Sequence, residues 1–231
     1  MTALLFRVRK FLTAADGVAA TEFAIVVPFM LVLLVGGTEL GDGMAINVKV
    51  SATAHSVGDM VTQNTSLSTS SMQNILTGAA SIIAPYPVNH SQLSVTVSEV
   101  SSDANGNLTL RWSQSYNGSS FVAGRTSLGA NGSYAALTQP ASLNGTVGNT
   151  NDVNNQNDQV SFIVSEVSYA YTPNLGYTIS GTVNLADRYW LFPRCSTDSP
   201  ANSSGPAYYD VKYTSSTTTC TCTQHLQQKT C

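Results

Sequence analysis

The polarity of this chain changes its period along its length. From Phe23 to Thr38 it reads FAIVVPFMLVLLVGGT, with no charged side chain. Extended from Val18 to Gly41, the run makes a helix long enough to cross a hydrocarbon core of about 30 Å. Pro28 and the Gly36-Gly37 pair are tolerated in such a helix where neighbouring groups re-satisfy the backbone. Further on, Ile46, Val50, Thr53, Val57, Met60 and Val61 recur at helical spacing, with Asn47, Lys49, Ser51 and Asp59 elsewhere on the cylinder. This predicts one helix, or one bent at Gly41 and Gly43, that leaves the membrane and lays an apolar stripe on a soluble domain. A separate core helix after a short linker would pack in the same way. A second helix is predicted from about 70 to 84. Ser70 with Gln73 resembles a capping box. Met72, Ile75, Leu76, Ala79 and Ile83 then share a face, and Pro85 with Pro87 ends the run.

After residue 85 the period becomes two. Leu93, Val95 and Val97 alternate with polar residues, as do Leu108, Leu110 and Trp112, and Asn105-Gly106 between them signals a hairpin. A third strand is predicted over Val160–Tyr171 and a fourth over Tyr177–Leu185, with Pro173-Asn174-Leu175-Gly176 as the turn. Residues 115–158, rich in Asn, Gly and Ser, read as a flexible polar insertion. The expected fold is α+β: a transmembrane helix (18–41) continuing into a helical stalk and second helix (42–84), packed on an antiparallel sheet ectodomain (85–194), with a C-terminal tail over 195–231.

Charge gives this layout a direction. Only 10% of the residues are charged and the formal net charge is −3. With no basic patch beyond the N-terminus, nucleic acid is not an expected partner. Arg7, Arg9 and Lys10 lie in a leader of residues 1–17, and the next basic residue is Lys49. That asymmetry places the N-terminus inside and the rest, after about residue 42, outside, with Glu39 and Asp42 marking the outer end of the span. Cys195, Cys220, Cys222 and Cys231 all fall in the tail. An even count in an exported segment reads as two disulfides, with Cys220 to Cys222 an unfavourable pair. Zinc is the competing reading, for which His225 is the one extra donor, but the spacing suits it poorly. No metal and no cofactor is expected.

The acid at the start of the span carries the chemistry. Glu22 stands at the edge of lipid, where burying a carboxylate costs about 2.5–3.5 kcal/mol at a helix centre, so it is a functional candidate by default. Gly17, Glu22-Phe23, the basic leader and the proline-containing apolar run together resemble the processing site of type IV prepilins and pseudopilins. Within that group they are most similar to the TadE-like family of the Flp (Tad) pilus assembly systems. A second resemblance, to the strand and basic end of TadE-like ectodomains, rests on Val167-Ser168-Tyr169-Ala170-Tyr171-Thr172-Pro173 with Arg188, Pro193 and Arg194. The resemblance implies a membrane-embedded prepilin peptidase cutting between Gly17 and Val18, and a new Val18 amine paired with Glu22 of the same or a neighbouring subunit. It also implies other pilin-like subunits and an assembly platform as partners, and an inner-membrane location.

An uncleaved signal-anchor would show the same leader and run, with Glu22 favoured by the helix macrodipole. A membrane-anchored surface binding protein or adhesin is the alternative from a different class. Tyr169, Tyr171, Tyr177, Tyr189 and Trp190 read as sheet and core residues, and His55, His90 and His225 as isolated ones. No nucleophile elbow, H-E-x-x-H pair or phosphate loop occurs, so the chain is not expected to be an enzyme.

Overall fold

The computed structural model describes residues 17–64, 66–90, 92–102, 107–130, 135–138, 140, 160–173, 181–194, 197–199, 208–213, 221–224 and 227–230. The chain divides into two compact units, one of Met1–Met44 with Thr172–Thr182, the other of Ala45–Tyr171 with Val183–Cys231. A single helix, α1 (Val18–Thr62), contributes residues to both, and contains Pro28. Of the two sequence readings, the uninterrupted helix holds: Gly41 and Gly43 lie within it.

In the first unit, the apolar stretch of α1 is largely unburied. Phe23, Ile25, Phe29, Leu31, Leu33 and Leu34 are each more than half exposed. The most apolar window of α1 has a mean hydropathy of 2.4 and none of it is buried, so the helix is long and apolar enough to cross a membrane. Of the two acids expected to mark the outer end of the span, Glu39 is 3% exposed and Asp42 is exposed.

The second unit is an α+β sandwich. Its core takes Ile46, Val50, Ala54, Val57 and Val61 from α1, all fully or almost fully buried. Helix α2 (Thr69–Ile83) adds Met72, Leu76, Ala79 and Ile83. Its N-cap is Ser68, whose hydroxyl accepts from the Ser71 amide at 3.1 Å, so the capping box read at Ser70 lies two residues too late. Lys49 of α1 donates to the carbonyls of Ile82 (3.0 Å) and Ala84 (2.6 Å), closing the other end of α2 with a cation where the dipole favours one.

After the two-residue strand β1 (Ser66–Leu67), the main sheet comprises β2 (Leu93–Ser102), β3 (Leu108–Tyr116), β4 (Phe121–Ala123), β5 (Val160–Tyr171) and β6 (Val183–Leu191), in the order β4-β3-β2-β5-β6 and antiparallel throughout. The first hairpin closes with Ser102 opposite Leu108, its predicted turn at 103–106 lying outside the described residues. The fourth predicted strand is displaced: β6 starts at Val183, not Tyr177, because its register is set by β5, from Tyr171 opposite Val183 to Ile163 opposite Leu191. Tyr177 and most of the predicted turn lie outside the described residues.

The sheet is covered on both faces. Leu93, Val95, Val97, Ile163, Val167, Tyr169 and Tyr171 meet the helices. On the other face Val100 and Val164 form a second cluster with Leu137, and Leu128, Leu108, Leu110 and Trp190 pack against it. Thus the stretch read as a polar insertion begins inside the sheet, with Ser115, Tyr116 and the edge strand β4, and Leu128 and Leu137 cover the second face, while residues 141–158 lie outside the described residues. The tail contributes β7 (Thr197–Ser199), β8 (Tyr208–Asp210), β9 (Lys212–Tyr213), β10 (Thr221–Gln224) and β11 (Gln227–Thr230). Strand β9 pairs parallel with β1. Between β8 and β9, buried Val211 is gripped by two cross-strand neighbours: Glu99 accepts from its amide and the Trp112 indole donates to its carbonyl, each at 3.0 Å. A slip in register between Glu99 and Val100 occurs at this point, as expected where a strand re-aims a side chain.

Candidate functional site

The N-terminal candidates form a short, open array. Gly17 directly precedes α1, and Val18 is its first residue. The Thr21 hydroxyl donates to the Val18 carbonyl at 2.8 Å, within the first turn. Glu22 is four residues from Val18, about 6 Å along the axis and on the same helix face. Glu22 is exposed, and Phe23 is 67% exposed beside it. A Cβ built on Gly17 meets no atom of the described residues within 4 Å. An acid and the first helical amide group therefore stand one turn apart at the mouth of an apolar cylinder. The leader before Gly17 lies outside the described residues.

A second array occupies the sheet face away from the helices. Glu166 of β5 accepts from Arg125 through Nε (2.5 Å) and Nη2 (2.7 Å), and from Arg188 of β6 through Nε (2.9 Å). Arg125 also donates to the Ala135 carbonyl (2.6 Å), and Arg188 to that of Ala136 (3.3 Å). The Arg125 side chain is 1% exposed, Glu166 14% and Arg188 27%. Two guanidinium groups share one carboxylate, and both tie the cover segment to the sheet. Beside them lies a groove of about 330 Å³ lined by Ser94, Thr96, Ala135, Glu166, Ser168 and Arg188 among others. Sequence reading missed this array. Its signals were the single basic residue in 115–158, Arg125, and an acid, Glu166, inside an otherwise hydroxyl-and-apolar strand.

The other residues singled out have ordinary roles. Tyr169 is buried, its hydroxyl donates to the Pro87 carbonyl at 2.9 Å, and burial followed by the nearby Tyr86 pushes its pKa up. Tyr189 packs edge-on against His55, and Trp190 against Phe162. The His90 ring meets Asn117 at 2.5 Å. Arg194 pairs with Asp59 of α1 and its amide donates to the Thr62 carbonyl at 2.8 Å. Among the described residues no group of His, Cys, Asp and Glu is arranged to hold a metal. Cys195, Cys220 and Cys231 lie outside the described residues, as does His225; Cys222 is in β10, opposite Lys229.

No curated protein and no solved structure matches this chain. The family model described as TadE-like protein matches residues 17–57, from Gly17 to the Val57 that closes most of the packing stripe. The downstream residues read as a second resemblance, 167–173 with Arg188, Pro193 and Arg194, fall outside that match. Across the segment that holds Gly17, Val18, Glu22 and Phe23, the chain is similar to the TadE-like family.

Proposed function

We propose that this chain is a membrane-anchored pseudopilin, a structural subunit in pilus assembly of the Flp/Tad type and not an enzyme. One observation carries the reading: the family match opens at Gly17, the residue before a helix whose most apolar window is unburied. A prepilin peptidase would cut between Gly17 and Val18. A glycine lets a protease approach the backbone closely, and no contact among the described residues accounts for one at this position. Cleavage would leave a cationic amine on Val18, one helical turn from Glu22. In a poorly solvated setting their attraction is strong, though desolvation offsets much of it, so the pair serves alignment better than raw stability. Arg7, Arg9 and Lys10 before the span, with no further basic residue until Lys49 beyond it, support an N-terminus inside, a single crossing of the inner membrane and a sheet domain outside. The partners on this reading are the peptidase, other pilin-like subunits and the assembly platform.

The test is the mature N-terminus. Intact mass of the chain from membranes should give Val18 as first residue in cells that contain a prepilin peptidase, and Met1 in cells that lack it. Glu22→Ala should still be cut but should fail to enter assemblies. An uncut chain in both strains would sink the reading and leave a signal-anchored surface protein. Normal assembly of the Glu22→Ala chain would remove Glu22 from the mechanism.

A further inference from the structure

The groove on the second sheet face belongs to no part of the assembly reading, and its lining has a definite pattern. Strand register puts Ser94, Ser168 and Ala186 in one row across β2, β5 and β6. The next row, two residues along, is Thr96, Glu166 and Arg188. The first row is a floor of small side chains with two half-buried hydroxyls; the second is a charged wall, about 7 Å away along the strands. Ala135 of the cover segment closes one side.

Among the described residues, two guanidinium groups on this wall share one carboxylate. Glu166 offsets one guanidinium of the two that it holds. The other nearby acid, Asp187, faces the opposite way: its carboxylate accepts from Ser51 of α1 and from the Arg188 amide. Arg125 is sealed beneath the cover, so the cation that a ligand can reach is Arg188, the member of the trio with the most solvent contact. A planar guanidinium fork beside half-buried hydroxyls matches a carboxylate carried on a hydroxylated ring. The volume, about 330 Å³, is at the small end of ligand sites and suits one sugar unit.

We propose that this groove is a binding site for a carboxylated sugar, with Arg188 holding the carboxylate and Ser94 and Ser168 holding ring hydroxyls. Glu166 and Arg125 act as positioning residues, fixing the guanidinium plane of Arg188. The site is independent of cleavage at Gly17.

The experiment is a titration of the full-length chain in detergent micelles with glucuronate, followed by NMR or calorimetry, with glucose and acetate as the two separated halves of the ligand. Saturable glucuronate binding is expected, on the order of millimolar for so small a ligand. Glucose and acetate should each bind at least about 10-fold more weakly, the ratio expected when a charge-assisted hydrogen bond or its neighbours are lost. Arg188→Gln should weaken glucuronate by a similar factor. Ser168→Leu, which fills the floor without touching the ion pairs, should abolish binding while thermal unfolding shows the chain still folded. Absence of saturable binding, affinity for glucose or acetate equal to that for glucuronate, or full affinity in folded Ser168→Leu would each overturn the assignment.

Discussion

The Arg125–Glu166–Arg188 trio predicts an unequal response to losing its two cations. Arg125→Ala removes three donated bonds, two to Glu166 and one to the Ala135 carbonyl, from a side chain that is 1% exposed. Breaking a buried pair by deleting one partner costs about 3–5 kcal/mol. Here Glu166 keeps Arg188, and at 14% exposure it retains some access to water. The expected loss is therefore about 2–4 kcal/mol. Arg188→Ala should cost less, about 0–1.5 kcal/mol, because that side chain is 27% exposed and its pair is partly solvated. Urea unfolding of the full chain in micelles, followed by tryptophan fluorescence, measures both; Trp190 lies beside the second cluster and reports on it directly. Hydrogen exchange at the Leu137 amide, bonded to the Leu128 carbonyl at 2.7 Å, should accelerate in Arg125→Ala and much less in Arg188→Ala. Equal losses from the two variants, or a loss below about 1 kcal/mol for Arg125→Ala, would refute the view that the buried arginine latches the cover to the sheet.

Three further outcomes follow from single residues. Gly118 has φ +87° and a Cβ there would stand 2.6 Å from the Asn89 carbonyl oxygen, so Gly118→Ala should destabilise by at least about 1–3 kcal/mol in the same urea assay. Leu76→Ala empties a fully buried site at the centre of α2 and should cost about 2–5 kcal/mol by thermal or urea unfolding. Tyr169 is buried neutral with its pKa raised above 10.0, so its contribution is complete below that pH and is lost as pH rises through the higher folded value. Stability measured across the alkaline limb should therefore fall less steeply in Tyr169→Phe, which loses the bond to Pro87 but has no phenol to ionise; an unchanged slope would show that Tyr169 does not govern that limb.

What could be read from the sequence is what depends on near neighbours. The α1 stripe was legible because a 3.6-residue period needs no partner to be visible, and Ile46, Val50, Thr53, Val57 and Val61 are all buried as that period requires. The α2 cap was placed two residues late because a run of serines offers several equivalent hydroxyls, and only the extended backbone at Ser68 selects one. Position along a strand was less legible: alternation continues from Tyr177 through Leu191, and pairing with β5 decides where β6 begins. The second sheet face was hidden altogether. Ser94, Thr96, Ser98, Ser113 and Ser115 look like solvent-facing positions, yet Thr96, Ser98 and Ser115 are buried; Thr96 bonds Ser115 and Ser98 bonds Ser113 across strands, each at 2.8 Å. The reason lies outside those strands, in Arg125, Leu128 and Leu137 folding over them.

The segment matched by the TadE-like model holds two different surfaces on one helix. Up to Leu34 its side chains are exposed around the cylinder, which only a lipid or protein environment can cover. From Ile46 to Val57 burial is confined to one stripe, and Lys49 on its flank caps α2. A change within Val26–Leu34 should therefore leave unfolding of the sheet domain unaltered, whereas Val50→Ala or Val57→Ala should lower it by about 1–3 kcal/mol. The signal proposed at Gly17 and Glu22 and the packing of the sheet domain are on this account separable by mutation, although one uninterrupted helix carries both.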